Sequence, residues 1–345
     1  MNRRLVRPFL VGIALLAFAE RCPAPLIFTP GEGWRYEKVG ESGSWVRTRA
    51  KDQLEAAQQA FDARDYNTAM KAARRTVSVW PFSDYAPQGQ YLLGRCHEAR
   101  EQDEAAFKAY QKLIERYPKV SNFDEVLLRQ MAIANRFLAG QRYLAFNYVP
   151  LFASMDKTIK LYEQIIKNGP FSEVAPQAQI NIGAANEKKF VSDYPEATRA
   201  YERAADKYAD RKEGTDALFK AGESYFKQAK KAEYDQSIAA QSIATFTDFT
   251  TLHPADKRVP EAQKKTSNLK TEQARGSYEI AQYYERRHKW EGAKIYYNDV
   301  LSKDPNSPFA EESRKRIDAI TRQIQRAPQS QLQPPAQLQP SQPPK

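Results

Sequence analysis

Cysteine, histidine, glycine and long apolar runs are all scarce in this chain, and each scarcity excludes something. Two cysteines in 345 residues, Cys22 and Cys96, cannot build a disulfide framework. Cys96 falls inside a helical pattern and reads as a small buried residue. The three histidines, His97, His253 and His288, stand far apart, without ligand spacing to Cys, Asp or Glu, so no metal is expected. No phosphate-cradling glycine loop, nucleophile elbow or H-E-x-x-H motif occurs. The carboxylate pairs Asp103-Glu104 and Glu311-Glu312 fall at helix starts, where they complement the helix dipole and need no other role. Neither catalysis nor a cofactor is expected. Fourteen glycines among abundant Ala, Gln, Glu, Lys and Arg favour helix over sheet.

The one apolar run, Phe9 to Phe18, is too short to span a bilayer stably. With Arg3, Arg4 and Arg7 before it and Ala17-Phe18-Ala19 at its end, residues 1–19 form a signal peptide. The mature chain is then expected in the periplasm. Cys22 stands where a bacterial lipoprotein carries its acylated cysteine, although Ala19-Glu20-Arg21 fits that signal poorly. Cleavage after Ala19 and lipidation at Cys22 both stay open. The net charge of +11 suits an anionic protein or membrane surface. Lys and Arg are interleaved with Asp and Glu and form no basic run, so nucleic acid is not the expected partner.

What the chain does have is a repeated phrase. Pro81-Phe82-Ser83-Asp84-Tyr85-Ala86-Pro87-Gln88 returns as Pro170-Phe171-Ser172-Glu173-Val174-Ala175-Pro176-Gln177, and in reduced form as Pro305-Asn306-Ser307-Pro308. In each copy proline ends one helix, and Ser83, Ser172 or Ser307 is placed to cap the next. Between the copies, small and aromatic residues alternate at tetratricopeptide (TPR) spacing. Leu93, Gly94, Ala106, Tyr110, Leu113 and Pro118 make one unit; Ala281, Tyr284, Ala293, Tyr297, Val300 and Pro305 make another. Looser units run through Ala57, Phe61, Ala69 and Ala73, through Gly183, Ala197 and Tyr201, and through Gly222, Tyr225 and Phe246. The physical logic is packing: small residues let antiparallel helices approach, and large ones fill the gaps between pairs.

The predicted fold is therefore an all-α solenoid of about six helical pairs over residues 50–325, with a polar final helix as cap. Residues 20–49 precede it as an arm, with a possible hairpin turning at Gly40–Ser44. An aromatic insertion, residues 138–154, splits the third unit. Its Tyr143, Phe146, Tyr148 and Phe152 either fold back onto the solenoid or form an exposed patch. Residues 326–345 form a disordered Pro/Gln-rich tail.

Such a solenoid offers a groove lined by the first helix of each pair. By TPR analogy the groove positions are Lys51, Leu54, Gln58, Gln88, Tyr91, Arg95 and Glu98, a mixture suited to an extended peptide.

From Tyr234 the residues are more specific. Tyr234-Asp235-Gln236 precedes Ala244-Thr245-Phe246-Thr247-Asp248-Phe249; Arg258-Val259-Pro260-Glu261-Ala262, Glu279-Ile280-Ala281-Gln282-Tyr283-Tyr284 and Trp290-Glu291-Gly292-Ala293 follow. This stretch resembles the outer-membrane protein assembly factor BamD family. The resemblance implies a non-catalytic scaffold at the inner leaflet of the outer membrane, partnered by a β-barrel insertase, other machinery subunits and outer-membrane protein clients. Tyr283, Arg286, Arg287 and Trp290 are then the candidate insertase contacts. The alternative is an adaptor of another envelope complex, for Tol–Pal-type constriction or polysaccharide export.

Overall fold

The computed structural model of the chain describes residues 26–29, 33–36, 45–145, 149–150, 153–231 and 236–326. The signal segment, Cys22, the Pro/Gln tail, and Phe146, Tyr148 and Phe152 lie outside the described residues. The chain is all-α in its body, with 13 helices among the described residues. Two small antiparallel ladders accompany them. β1 (Leu26–Thr29) pairs with β2 (Gly33–Tyr36), Leu26 opposite Tyr36. The expected pairing of the Trp34 and Trp45 segments is not found: Gly33–Tyr36 pairs with Leu26–Thr29, and Trp45 to Arg49 is turn and coil. β3 (Leu144–Ala145) and β4 (Val149–Pro150) pair within the insertion.

The helices fall into two compact units. Unit one runs to Ser154 and includes Gln164–Val174; unit two holds Met155–Glu163 and everything from Ala175. Unit one contains α1 (Ala50–Asp62), α2 (Tyr66–Val79), α3 (Ala86–Ala99), α4 (Asp103–Arg116), α5 (Phe123–Leu138) and the last turn of α6 (Met155–Asn168). Unit two contains the start of α6, then α7 (Ala175–Glu187), α8 (Tyr194–Lys207), α9 (Lys212–Lys231), α10 (Gln236–Leu252), α11 (Val259–Arg286), α12 (Trp290–Lys303) and α13 (Ala310–Arg326).

Small residues set the helix approach. A Cβ added to Gly94 in α3 would sit 2.3 Å from Tyr110 Cε1 in α4, and one on Gly183 in α7 would sit 2.4 Å from Tyr201 Cε1 in α8. Both tyrosines are buried, as are Ala106, Leu113, Ala281, Ala293 and Tyr297 at the other repeat positions. In the insertion, Tyr143 is buried and stacks on Phe137 with ring centroids 4.1 Å apart, so this part folds back.

Two kinds of turn alternate. Within three pairs the chain turns through a left-handed residue, Arg64 (φ 60°), Glu101 (57°) or His288 (57°), and it enters the insertion through Gly140 (114°). Between pairs, an N–H donates three residues back: Ser83 to Trp80, Val120 to Tyr117, Ser172 to Gly169, Arg211 to Tyr208, Asp256 to His253 and Ser307 to Asp304. The serines of the repeated phrase belong to these turns and do not cap the next helix. Ser83 Oγ donates to Trp80 O at 2.9 Å and Ser172 Oγ to Gly169 O at 2.7 Å, which reinforces the turn. Ser307 Oγ is buried without a hydrogen-bond partner. The side-chain caps are aspartates: Asp65 accepts from Thr68 N and Asp193 from Glu196 N.

No helix among the described residues is long and apolar enough to cross a membrane.

Candidate peptide-binding groove

The first helices of unit one, α1, α3 and α5, line an open cleft of about 720 Å³. The chain folds this way because α2 and α4 carry the alanine-rich faces: Ala69, Ala72, Ala73 and Ala109 are buried against Ala57, Leu92, Leu93 and Cys96. Longer polar side chains of α3 and α5 are left to meet in the cleft.

Arg129 is the hub. Its Nε donates to Tyr91 Oη at 2.9 Å, Nη1 to Glu98 Oε2 at 3.1 Å, and Nη2 to Glu125 Oε1 at 2.9 Å. Tyr91 donates its phenol proton to Glu125, and Tyr110 donates to Glu98 Oε2 at 2.6 Å. The Tyr91 bond, with Arg129 behind it, holds Glu125 below the usual carboxylate range. Burial and the Glu98 bond push the Tyr110 phenol up. Burial works against the Arg129 charge, but Glu125, Tyr110 and Tyr91 outweigh it and raise its pKa. One step along α5, Arg136 Nε donates to Asp103 Oδ2 at 2.7 Å, and its Nη2 lies 3.7 Å from Glu98 Oε1. Asp103 is 5% exposed. The helix-start carboxylate therefore has a role beyond the dipole: it neutralises an arginine 33 residues away, on the next helix.

Arg95 is left over. Its guanidinium lies 5.4 Å from the Phe61 ring and 5.9 Å from the Tyr91 ring, and Nη1 donates weakly to Tyr91 Oη at 3.4 Å. It has no carboxylate partner among the described residues. The cleft thus presents one cation on an aromatic shelf, flanked by the matched charges of Arg129 and Arg136, with Glu101 on its lining as a carboxylate without an ion pair among the described residues. Chemically that receives a carboxylate or peptide carbonyl with an apolar neighbour.

The other expected groove positions are more ordinary. Lys51 is exposed and 3.8 Å from Glu55; Gln58 donates to Asp62 at 2.9 Å; Leu54 packs on the unit-one core; Gln88 is exposed. Tyr91 and Glu98 are bound into the arginine network and do not form a free face.

In unit two, part of the network recurs. Tyr297 donates to Glu285 Oε2 at 2.6 Å, and Arg316 reaches Glu285 at 3.4 Å and Glu312 at 2.9 Å. At the place that Tyr91 holds relative to Glu98, Tyr278 stands before Glu285 and packs on Phe309 and Tyr297. Beside this network, Arg287 stacks on the exposed Tyr283 with Cζ 4.6 Å from the ring, and Arg286 is exposed. Trp290 is half-buried against the core built on Ala281 and Tyr297. The structure therefore joins Tyr283 and Arg287 at the surface and assigns Trp290 to packing.

A family model described as YfiO, outer membrane lipoprotein, matches residues 153–329, just over half of the chain. The chain belongs to the YfiO family. A TPR model matches residues 88–119, which are α3, α4 and the turn after them. No curated protein matches the chain. Among solved structures it is similar to a TPR-repeat protein from Bacteroides fragilis (14% identity, 81% of this chain and 100% of that one, TM-score 0.39). It is also similar to the C-terminal part of a TPR-repeat protein from Cytophaga hutchinsonii (14%, 77% and 87%, TM-score 0.36). PilF of Pseudomonas aeruginosa aligns at 9% identity over 77% of this chain and 96% of its own, with a TM-score of 0.30. These superpositions are loose, and the helical hairpins themselves carry the fold.

Membership puts this YfiO-family chain with envelope lipoproteins, and the TPR match with proteins that act through protein–protein contact. The cleft lies outside the span matched by the YfiO model. Phe61, Asp103, Arg129 and Arg136, which complete the cleft, were not among the residues expected from sequence. Their one signal was position: Arg129 and Arg136 occupy α5, the first helix of the next pair.

Proposed function

We propose that this YfiO-family chain is a non-catalytic periplasmic scaffold of the outer-membrane β-barrel assembly machinery. It works at the inner leaflet of the outer membrane, held there by machinery subunits or by lipidation at Cys22. The unit-one cleft receives an extended segment of an outer-membrane client, and the surface around Tyr283, Arg286 and Arg287 meets the insertase. One observation carries the cleft assignment: Arg95 stands over Phe61 and Tyr91 with no carboxylate partner, while its neighbours Arg129 and Arg136 are both paired. A charge left unmatched in a cleft is available to a ligand, and Phe61 supplies an apolar seat beside it.

The test is affinity purification of the tagged full chain from a bacterial envelope, with and without Arg95→Glu and the pair Arg286→Glu/Arg287→Glu. The reading expects a barrel insertase with the unmodified chain, loss of client segments with Arg95→Glu, and loss of the insertase with the double reversal. Recovery of Tol–Pal components or a polysaccharide synthase in place of an insertase overturns it.

A further inference from the structure

The turns between helical pairs share one backbone design, so the residue before the donating N–H can be compared across them. In unit one that residue is Phe82, Lys119 and Phe171; in unit two it is Asp210, Ala255 and Asn306. The turn itself therefore makes no demand for an aromatic ring. Phe82 is 98% exposed and Phe171 90% exposed, although each sits in a rigid turn closed by both a backbone bond and a serine Oγ bond. Folding does not account for two phenylalanines held fully in water. Fully burying each would be worth about tenfold or more in binding.

The three turns form one edge. Tyr117 Oη donates to Pro81 O at 3.0 Å, which joins the first turn to the second. Leu127, in the first turn of α5, packs against Gly169, which brings the third beside the second. The order along the edge is Phe82, Lys119, Phe171. Exposed Arg116 and Lys167 close the helices that enter the second and third turns, and exposed Asp84 and Glu173 follow the two rings. The opposite edge of unit one holds the turns at Ala63–Asp65 and Arg100–Gln102, linked by Arg100 Nη1 donating to Asn67 at 2.9 Å.

We propose that this edge of unit one rests on a lipid surface, with Phe82 and Phe171 entering the interface and Lys119 facing headgroup phosphates between them. A protein partner is the poorer fit. Protein docking sites have a contiguous, shape-matched apolar core, whereas these rings stand as separate tips on separate turns. A bilayer interface accepts such tips, and lysine stems reach its headgroups from among them. The contact is independent of the Arg95 cleft and of any acyl anchor at Cys22.

The experiment places single tryptophans at Phe82→Trp, Phe171→Trp and, on the opposite edge, Ala63→Trp in the full chain. Each is mixed with phosphatidylcholine/phosphatidylglycerol vesicles whose acyl chains carry bromine, and emission is compared with that of the unmodified chain and its four tryptophans. Expected are a shift to shorter wavelength and added quenching at positions 82 and 171, with neither at 63. Equal quenching at all three positions, quenching at none, or failure of the chain to bind vesicles overturns the proposal. Loss of a co-purifying protein from Phe82→Ser/Phe171→Ser, without lipid quenching at either ring, would assign the edge to a protein and overturn it as well. Failure of the lipid contact leaves insertase and client capture unchanged, so the two readings fail separately.

Discussion

Tyr110 donates its phenol proton to Glu98 at 2.6 Å, and Tyr297 does the same to Glu285 at the same distance. Both pairs are 12 residues apart, and in both an arginine 31 residues beyond the glutamate, Arg129 or Arg316, completes the contact. The tyrosine comes from the second helix of a pair, the glutamate from the first, and the arginine from the next helix along. One carboxylate thus ties three helices together. Tyr110→Phe removes a bond to a charged acceptor, but Glu98 keeps Arg129 and Arg136. The expected cost is about 1.5 kcal/mol, at the lower end for such bonds. Urea unfolding measures it, and Tyr297→Phe is expected to shift the midpoint in the same direction.

Two glycines separate packing from helix propensity. Gly94→Ala drives a methyl to 2.3 Å from Tyr110 and is expected to cost about 1–3 kcal/mol or more. Gly276, inside α11, meets only the flexible end of Gln236 at 3.1 Å. There alanine is expected to stabilise by about 0.5–1 kcal/mol, because glycine loses more backbone freedom on folding. Thermal melts of the two variants should move in opposite directions.

Arg64 and Glu101 hold left-handed backbone where a Cβ is penalised. Neither side chain makes an ion pair among the described residues. Arg64→Gly and Glu101→Gly should each stabilise, by a few tenths to about 1 kcal/mol once glycine's added chain entropy is counted. Denaturant midpoints check the sign, and a fall in either midpoint would refute the strain assigned to these turns.

Asp256 carries a pH signature. Its hydrogen bond from Arg258 brings the carboxyl from 3.8 down to about 2. Arg258 also pairs with Asp216 at 2.8 Å and lies 4.9 Å over Phe219. A depressed folded-state pKa means the unfolded chain binds the proton more readily. The stabilisation is therefore complete above pH 4 or so and is lost as pH falls toward 2. Asp256→Asn should flatten that part of the stability curve while leaving the slope near neutrality unchanged.

The repeats were legible because their signal is local. Gly94, Ala106 and Tyr110, or Ala281, Ala293 and Tyr297, are set by the spacing of small and large residues along one hairpin, and all are buried as that spacing requires. The serines misled because a hydroxyl near a helix start can bond forward to the helix or back to the turn. Only the backbone path decides, and at Ser83 and Ser172 it runs back. The strand pairing near the N-terminus differed for a similar reason: Leu26–Thr29 has the same short apolar pattern as the Trp45 segment, and it is Leu26–Thr29 that pairs with Gly33–Tyr36.

The sequence by itself determined the helical hairpins, their number and their small–aromatic seams, because helix periodicity and close packing within a hairpin depend on residues a few turns apart. It also determined the family, through residues concentrated in the later repeats. The tertiary structure decided which charges cancel. Glu125 meets Arg129 within one helix, as its i,i+4 spacing allows, but Glu98 and Asp103 each had several arginines within reach along the chain, and only the stacking of α3, α4 and α5 gives Glu98 to Arg129 and Asp103 to Arg136. That same stacking leaves Arg95 over two aromatic rings without a carboxylate. Charge pairing depends on distances between helices from different repeats, and no one-dimensional pattern carries those distances.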